Sequence, residues 1–368
     1  DLRSGIIAKS TRQGSLKLAQ TEPGVVVTPA KLDPDPWLLN CENGTLDLHT
    51  AKLRPHRRED LHTKLVPANY DPSATCPQWL GFLHRITGGD AELMLFLQKA
   101  VGYTLTGNTS AQCLFYLFGL GRNGKSVFLE TIFHLFGKYA KRISSESLMV
   151  KQNGGGIPND IAMLVGARLV VSSEVEEGAK LNETRVKEMT GSDTMVARFL
   201  HQEYFEFLPV LKLWVAGNHK PVIRGTDLGI WRRIHLIPLT VTIPENEVDP
   251  QLTSKLRAEL DGIMGWAVEG CLTWQKNGLK PPRRVVEATA EYRSESDLIG
   301  QFLNDCCVLA PAAETTSAVL YARYKSWAEV GGTRPVSSIG FSRKLVERGF
   351  QTRRSNGVRF IGISIPAY

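Results

Sequence analysis

The run Gly119-Leu120-Gly121-Arg122-Asn123-Gly124-Lys125-Ser126 sets a glycine, four residues and then Gly-Lys-Ser in one stretch. That spacing does phosphate chemistry. Glycines let successive N–H groups turn inward around a phosphate, and the start of a following helix adds partial positive charge. Lys125 is placed to reach the β- and γ-phosphates of ATP, and the Ser126 hydroxyl to ligate Mg²⁺. The expected ATP contacts are Gly119, Gly121, Arg122, Asn123, Gly124, Lys125, Ser126 and Val127. The flanks suit the motif. Cys113 to Phe118 is an apolar, β-rich run, and Val127 to Phe136 repeats apolar residues at helical spacing.

Three further segments carry complementary chemistry. Arg168 to Glu174 is an apolar strand ending in an acid, 48 residues beyond Ser126. An acid there holds Mg²⁺, and a neighbouring acid polarises the attacking water. Glu174, Glu176 and Glu177 all compete for these roles. Glu174 closes the strand and is favoured for the metal, with Glu176 as the second acid. Lys212 to His219 is another buried-strand pattern, ending at Asn218, whose amide suits holding the attacking water. Arg224 to Ile234 contains Arg232 and Arg233. Either can serve as a finger that reaches a neighbouring subunit's γ-phosphate and offsets transition-state charge. An arginine acting in trans requires a ring or filament.

The elements that must position these residues can be read around them. Apolar strands at 113–118, 168–174, 212–218 and 233–239 alternate with helical patterns, which predicts an α/β fold with a parallel sheet. Residues 1–36 are polar and proline-bearing, a helical tail and linker. Alternation around Asn43-Gly44 predicts a β-hairpin. Residues 77–106 predict two helices broken at Gly88-Gly89-Asp90, and 251–305 are mostly helical. Beyond 305, helices at 316–328 and 337–348 precede a hairpin at 350–365 that turns at Ser355-Asn356-Gly357, a winged-helix order. The domain reading is 1–108 for tail, hairpin and helical collar, 109–245 for a P-loop ATPase, 246–305 for a helical segment and 306–368 for a winged helix.

Length and composition agree with several globular units. The chain has 368 residues, 42% of them hydrophobic, and a net charge of +7. That modest basic excess is compatible with nucleic acid without requiring it. The six cysteines include no Cys-x-x-Cys pair and do not cluster with histidine at zinc spacing. They predict free thiols in a reducing cytoplasm, with Cys306-Cys307 in a core. No apolar run approaches the roughly 20 residues of a membrane span, and no signal peptide opens the chain. It begins at Asp1, which suggests a piece of a longer polypeptide.

These motifs in this order resemble superfamily 3 helicases, above all the phage and plasmid primase-helicases related to poxvirus primase-helicases. The carrying residues are Gly119–Ser126, Arg168–Gly178, Leu181–Asp193, Lys212–Pro221 and Arg224–Pro238. The resemblance implies an AAA+-type, ATP-driven DNA helicase working as a hexameric ring in replication of a mobile element, in a bacterial host cytoplasm. It also implies a helical collar before the P-loop, a C-terminal winged helix and a primase-polymerase domain upstream. That family grips DNA with a β-hairpin between its second and third motifs. Thr194 to Phe207 can form it, turning near His201–Glu203, with Arg198, Phe199 and His201 in the pore and Lys187 as a second contact. The tip departs from related viral helicases: it lacks a lysine and carries Glu203, the wrong sign for phosphate. Arg343, Lys344, Arg348, Arg353, Arg354 and Arg359 form a basic patch for duplex or fork DNA, led by Arg353 and Arg354.

Two other functions share a P-loop. A nucleoside or small-molecule kinase would carry an arginine-bearing lid and need a phosphate acceptor. An ATP-switched DNA-binding module would bind forks without separating strands.

Overall fold

Every strand of the central sheet runs parallel, and the strand that leads into the glycine-rich loop lies inside it rather than at its edge. The structure is a computed structural model that describes residues 9–22, 26–28, 31–150, 159–223, 228–333, 335–355 and 357–366.

Helix α1 (Lys9–Ala19) precedes a small antiparallel sheet of β1 (Leu38–Cys41), β2 (Gly44–Asp47) and β3 (Lys52–Arg54). The first two strands form the predicted hairpin, with Cys41 paired to Gly44. The third strand was not expected, because Lys-Leu-Arg is too short and polar to show a period. Helix α2 (Pro77–Thr87) starts on a proline, whose missing N–H costs nothing in a first turn. It stops at Gly88 in the left-handed region. Helix α3 (Ala91–Leu105) starts where the Asp90 carboxylate accepts from the Leu93 N–H at 3.0 Å. The break therefore falls at Gly88-Gly89-Asp90, as the sequence predicts.

Next come β4 (Leu114–Phe118), α4 (Lys125–Phe136), β5 (Ala140–Arg142), α5 (Asn159–Ala162), β6 (Leu169–Ser173) and α6 (Glu183–Thr190). A hairpin of β7 (Met195–Ala197) and β8 (Phe205–Phe207) leads to β9 (Lys212–Gly217), α7 (Leu228–Trp231) and β10 (Ile234–Pro238). The sheet order is β10-β4-β9-β6-β5. Four of the five strands match the predicted apolar runs within a residue or two. The edge strand β5 was not anticipated, since Ala-Lys-Arg carries no hydrophobic pattern.

Both faces of the sheet are covered, so its strands read as continuous apolar runs. Phe115, Leu117 and Trp214 point into one core with Trp79, Phe96, Phe128 and Trp266. Leu114, Tyr116 and Val215 point into the other with Val186, Ile230 and Tyr292. The two helices before the P-loop therefore share a core with the sheet. Helix α3 also crosses a later helix at backbone contact, described below.

The chain continues through α8 (Leu252–Ala258), α9 (Leu260–Asn277), α10 (Arg283–Ser296) and α11 (Leu298–Cys306). It ends with β11 (Val308–Thr316), α12 (Ser317–Val330), α13 (Ser338–Glu347), β12 (Thr352–Arg354) and β13 (Val358–Ser364). A third core joins Phe302, Leu320, Tyr324, Phe341, Leu345 and Phe360, and reaches back across residue 306 into α11. The two predicted helices and hairpin are present, although Asn356 lies outside the described residues. Strand β11 was missed. It pairs with β13 through an irregular register between Leu309 and Glu314, is largely exposed, and contains Pro311, so it shows no clean alternation.

All six cysteines are free, and Cys306 is buried in the third core. Among the described residues, no helix is long and apolar enough to cross a membrane.

Candidate nucleotide site and nucleic-acid surfaces

Parallel pairing brings three loop starts to one edge of the sheet. Phe118 pairs with Gly217, and Ser173 pairs with Ala216. Gly119, Asn218 and Glu174 therefore leave adjacent strands at their carboxyl ends, where ligands bind in open α/β sheets. The cleft between them has a volume of about 600 Å³ and is lined by Gly121 to Val127, Glu174 and Asn218.

The loop has the geometry its glycines allow. Gly121, Arg122 and Gly124 all have positive φ. A Cβ on Gly119 would sit 2.0 Å from Asn123 Nδ2, and one on Gly124 would sit 2.4 Å from the Ile86 side chain. Ile86 and Phe82, from α2, thus press on the loop that opens α4. Asn123 Nδ2 donates to the Leu239 carbonyl at 3.2 Å, tying the loop to the end of β10. The following segment crosses the loop, and the Ile243 N–H donates to the Arg122 carbonyl at 2.7 Å.

Lys125 is buried. Its ammonium donates to the Gly119 carbonyl at 2.6 Å, Asn123 Oδ1 at 2.9 Å and Asn218 Oδ1 at 3.0 Å. Burial holds its pKa below the usual lysine range. The three acceptors are neutral dipoles, so the charge has no carboxylate partner in this set. Asn218 and Lys125, 93 residues apart in sequence, meet directly.

Glu174 sits in the left-handed region, with φ 64, and its N–H donates to the Ala216 carbonyl at 3.2 Å. Val175, which follows, is buried in the second core. The acids on either side of it differ in reach. Glu174 lines both the loop cleft and a neighbouring cleft of about 960 Å³, and Glu176 and Glu177 line the neighbouring one. Ser126 is exposed at the start of α4. The residues brought together are therefore Gly121 to Val127, Glu174 and Asn218, with Gly119 held to Lys125; Glu176 is not among them.

Arg232 and Arg233 lie at the opposite end of the sheet. Ile234 pairs with Leu114 and Pro238 with Phe118, so roughly 16 Å of strand separates them from the loop. Arg233 is buried and donates to the Gly229 carbonyl at 2.5 Å. Arg232 is exposed and donates to Gln112 Oε1 at 2.7 Å. Arg224 lies outside the described residues.

The hairpin of β7 and β8 exists, with short strands joined by a loop from Arg198 to Tyr204. Arg198, Phe199 and His201 all stand on that exposed loop. The Arg198 guanidinium lies 4.9 Å above the Tyr204 ring, and Phe199 stacks on Phe205 at 5.7 Å. His201 takes a left-handed turn conformation, at the predicted tip. Lys187 is on α6, one helix earlier. In the terminal module the basic patch is smaller than expected. Glu314 on the unforeseen strand β11 pairs with Arg353 at 3.0 Å and Arg359 at 3.6 Å, and Asp297 pairs with Arg348. Arg354 and Arg343 remain exposed.

Sequence reasoning missed Arg142 and Glu130. Arg142 ends β5 and lines the loop cleft; it pairs with Glu130 at 2.5 Å and lies 4.4 Å over the Phe133 ring. A three-residue edge strand gives no pattern from which to find it. It also passed over two cations at the feet of β6 and β9. Arg168 and Lys212 are buried, and donate to the Leu105 and Thr106 carbonyls at the end of α3. A helix carboxyl end is a natural place for buried positive charge.

Comparison with known proteins follows the same outline. Residues 3–88 match a family described as D5 N terminal like, and residues 294–359 one described as poxvirus D5 protein-like. Residues 117–233, which hold the site, match a family of unknown function. A "Putative helicase" of Acanthamoeba polyphaga mimivirus is 26% identical over 88% of this chain and 36% of its own length. A "Putative helicase" of frog virus 3 is 28% identical over 67% of this chain and 27% of its own. A "Putative primase" of African swine fever virus is 28% identical over 80% of this chain and 34% of its own. The chain thus spans about a third of the length of these relatives. The apo C-terminal region of NrS-1 shares the fold, at a TM-score of 0.52 over 98% of this chain and 91% of that one, with 12% identity. The resemblance to primase-helicases related to the poxvirus proteins is borne out, with D5-type segments at both ends of the chain.

Proposed function

We propose that this chain is the ATP-driven DNA helicase portion of a larger primase-helicase, working as an AAA+-type ring in replication of a phage or plasmid. The observation that supports it most is the meeting of Lys125 with Asn218 in a cleft that Glu174 also lines. A buried ammonium held only by neutral oxygens suits a triphosphate, which would supply the missing negative charge. The glycine loop fits the same ligand, since two of its positions leave no room for a side chain.

In this reading the backbone N–H groups of Gly121 to Val127 cradle the phosphates. Lys125 neutralises charge on the β- and γ-oxygens. Mg²⁺ would be held by Ser126 and Glu174, and would neutralise charge on the same oxygens. Asn218 orients the attacking water, and loses its bond to Lys125 when that lysine turns to phosphate. Arg232 is the better finger, because it is exposed and its side chain is held only through Gln112 among the described hydrogen bonds, while Arg233 is buried. Its place at the far end of the sheet suits a neighbour's site rather than its own, which supports a ring, here taken as a hexamer. The β7–β8 loop, with Arg198, Phe199 and His201, would face the pore and track a strand by charge and stacking. Lys187 would add a second contact. The terminal module, read as a winged helix, would meet the fork with Arg354 and Arg343.

The test is ATP hydrolysis with and without single-stranded DNA, alongside fork unwinding. The intact protein is expected to show DNA-stimulated hydrolysis and strand separation. Lys125→Ala is expected to lose both by about a hundredfold or more. Full DNA-stimulated hydrolysis by that variant would refute the reading. Phosphate transfer to an acceptor without DNA stimulation would point to a kinase, and fork binding without unwinding to a switch.

A further inference from the structure

Arg142 is a cation of the P-loop cleft to which the proposed hydrolysis gives no task. It lines that cleft with Lys125, Ser126, Glu174 and Asn218, and it also lines the wider cleft of about 960 Å³ beside it. The fold sets it there. Arg142 is the last residue of β5, which pairs in parallel with β6, Arg142 opposite Val171. The sheet runs β4, β9, β6, β5 toward this edge, so Gly119, Asn218, Glu174 and Arg142 follow one another across it in that order.

Its hold is weak and lies close to the Ser126 hydroxyl. Arg142 donates to Glu130 Oε1 at 2.5 Å, and its guanidinium lies 4.4 Å over the Phe133 ring. Both partners stand on α4, the helix that the P-loop opens. The Arg142 and Glu130 side chains are 51% and 38% exposed, and an ion pair that open to water adds little stability. Glu130 follows Ser126 by four residues, so the two share a face of α4 with about 5–6 Å between their Cβ atoms. The guanidinium is thus parked about one helical turn from Ser126. A triphosphate brings several negative charges, and its oxygens accept a guanidinium in bidentate fashion, where Glu130 offers one carboxylate. The two clefts that Arg142 borders leave its side chain room to turn.

We propose that Arg142 is a further nucleotide-contacting residue, which leaves Glu130 to hold the γ-phosphate and so lets the site tell ATP from ADP. This role rests on the reading of Gly119–Ser126 as an ATP site. The γ end is the one within reach, because β9 and β6, with Asn218 and Glu174 at their ends, stand between β5 and the P-loop strand. Arg142 serves the nucleotide of its own copy, whereas Arg232 would serve a neighbour's. Glu130 is a holding group: it keeps the guanidinium over Phe133 until a γ-phosphate arrives.

Equilibrium binding of two probes to the full chain, each with Mg²⁺, tests this: ADP, and the β,γ-imido analogue of ATP, which is not cleaved. Arg142→Ala is expected to weaken the triphosphate about tenfold and ADP by less than about twofold, with Arg142→Lys in between. Glu130→Gln separates this role from a mere brace between α4 and β5. It removes the same ion pair but frees the guanidinium, so it is expected to bind the triphosphate as tightly as the unaltered chain or tighter. Equal weakening of both probes by Arg142→Ala, no weakening of either, or a loss in Glu130→Gln as large as in Arg142→Ala overturns the role. Each of these leaves the ATP site standing if the unaltered chain binds the triphosphate and Lys125→Ala does not. No binding by the unaltered chain refutes the ATP site itself, and the role of Arg142 with it.

Discussion

Glu174 and Glu176 are two residues apart and share one cleft, but Glu174 also lines the P-loop cleft. Val175 between them is buried in the second core, and Glu174 sits in the left-handed region. If Glu174 serves the nucleotide, Glu174→Gln is expected to lower the ATPase kcat by about a hundredfold, and Glu176→Gln by no more than a few-fold. Steady-state hydrolysis checks this, and equal losses would return Glu176 to the site. A second residue sets a pH dependence. His235, on β10, packs against the rings of Phe115 and Phe96. Burial holds its pKa down to about 4, from 6.5. As pH falls through 6.5 the unfolded chain takes up a proton that the folded chain refuses. Stability present above about pH 6.5 is therefore lost progressively down to about pH 4, by about 3 kcal/mol at most. Urea midpoints at pH 7 and pH 4.5 should draw closer in His235→Leu than in the unaltered protein.

At the scale of elements, the legible parts were those with strong periods. The strands of β4, β6, β9 and β10 are buried on both faces, so each reads as an unbroken apolar run. Their carboxyl ends carry the loop residues, which is why spacing alone could name candidate residues that the fold brings into one cleft. Strands β3 and β5 have three residues each, and β11 is exposed and irregular, so their existence depends on partners distant in sequence. Arg142 and Glu314 sit on two of these strands. The cleft's extra cation and the neutralised basic patch were hidden for that reason. The helix pair α3 and α9 shows another tertiary feature. A Cβ on Gly102 would lie 2.1 Å from the Cys271 nitrogen, and one on Gly270 would lie 2.0 Å from the Gln98 carbonyl oxygen. The two backbones cross with no side chain between them. Gly102→Ala is expected to cost about 2–4 kcal/mol, because backbone cannot yield as a flexible side chain can. Chemical denaturation followed by circular dichroism measures it, and a change under 0.5 kcal/mol would show the crossing to be looser than described.

For the whole molecule, the chain holds the P-loop at one end of its sheet and Arg232 at the other. In the proposed ring, a single copy would carry two half-sites that it could not join by itself. Closing copies head to tail into a ring would join each P-loop to the next copy's arginine. Such a site has a signature that no monomer shares. Lys125→Ala and Arg232→Ala should each be inactive alone. In an equal mixture, about a quarter of the interfaces would pair an intact P-loop with an intact arginine. Mixing the two purified variants and measuring DNA-stimulated ATP hydrolysis is the most direct test. The account predicts recovery to roughly a quarter of the unaltered rate. A mixture no more active than its two components would contradict it.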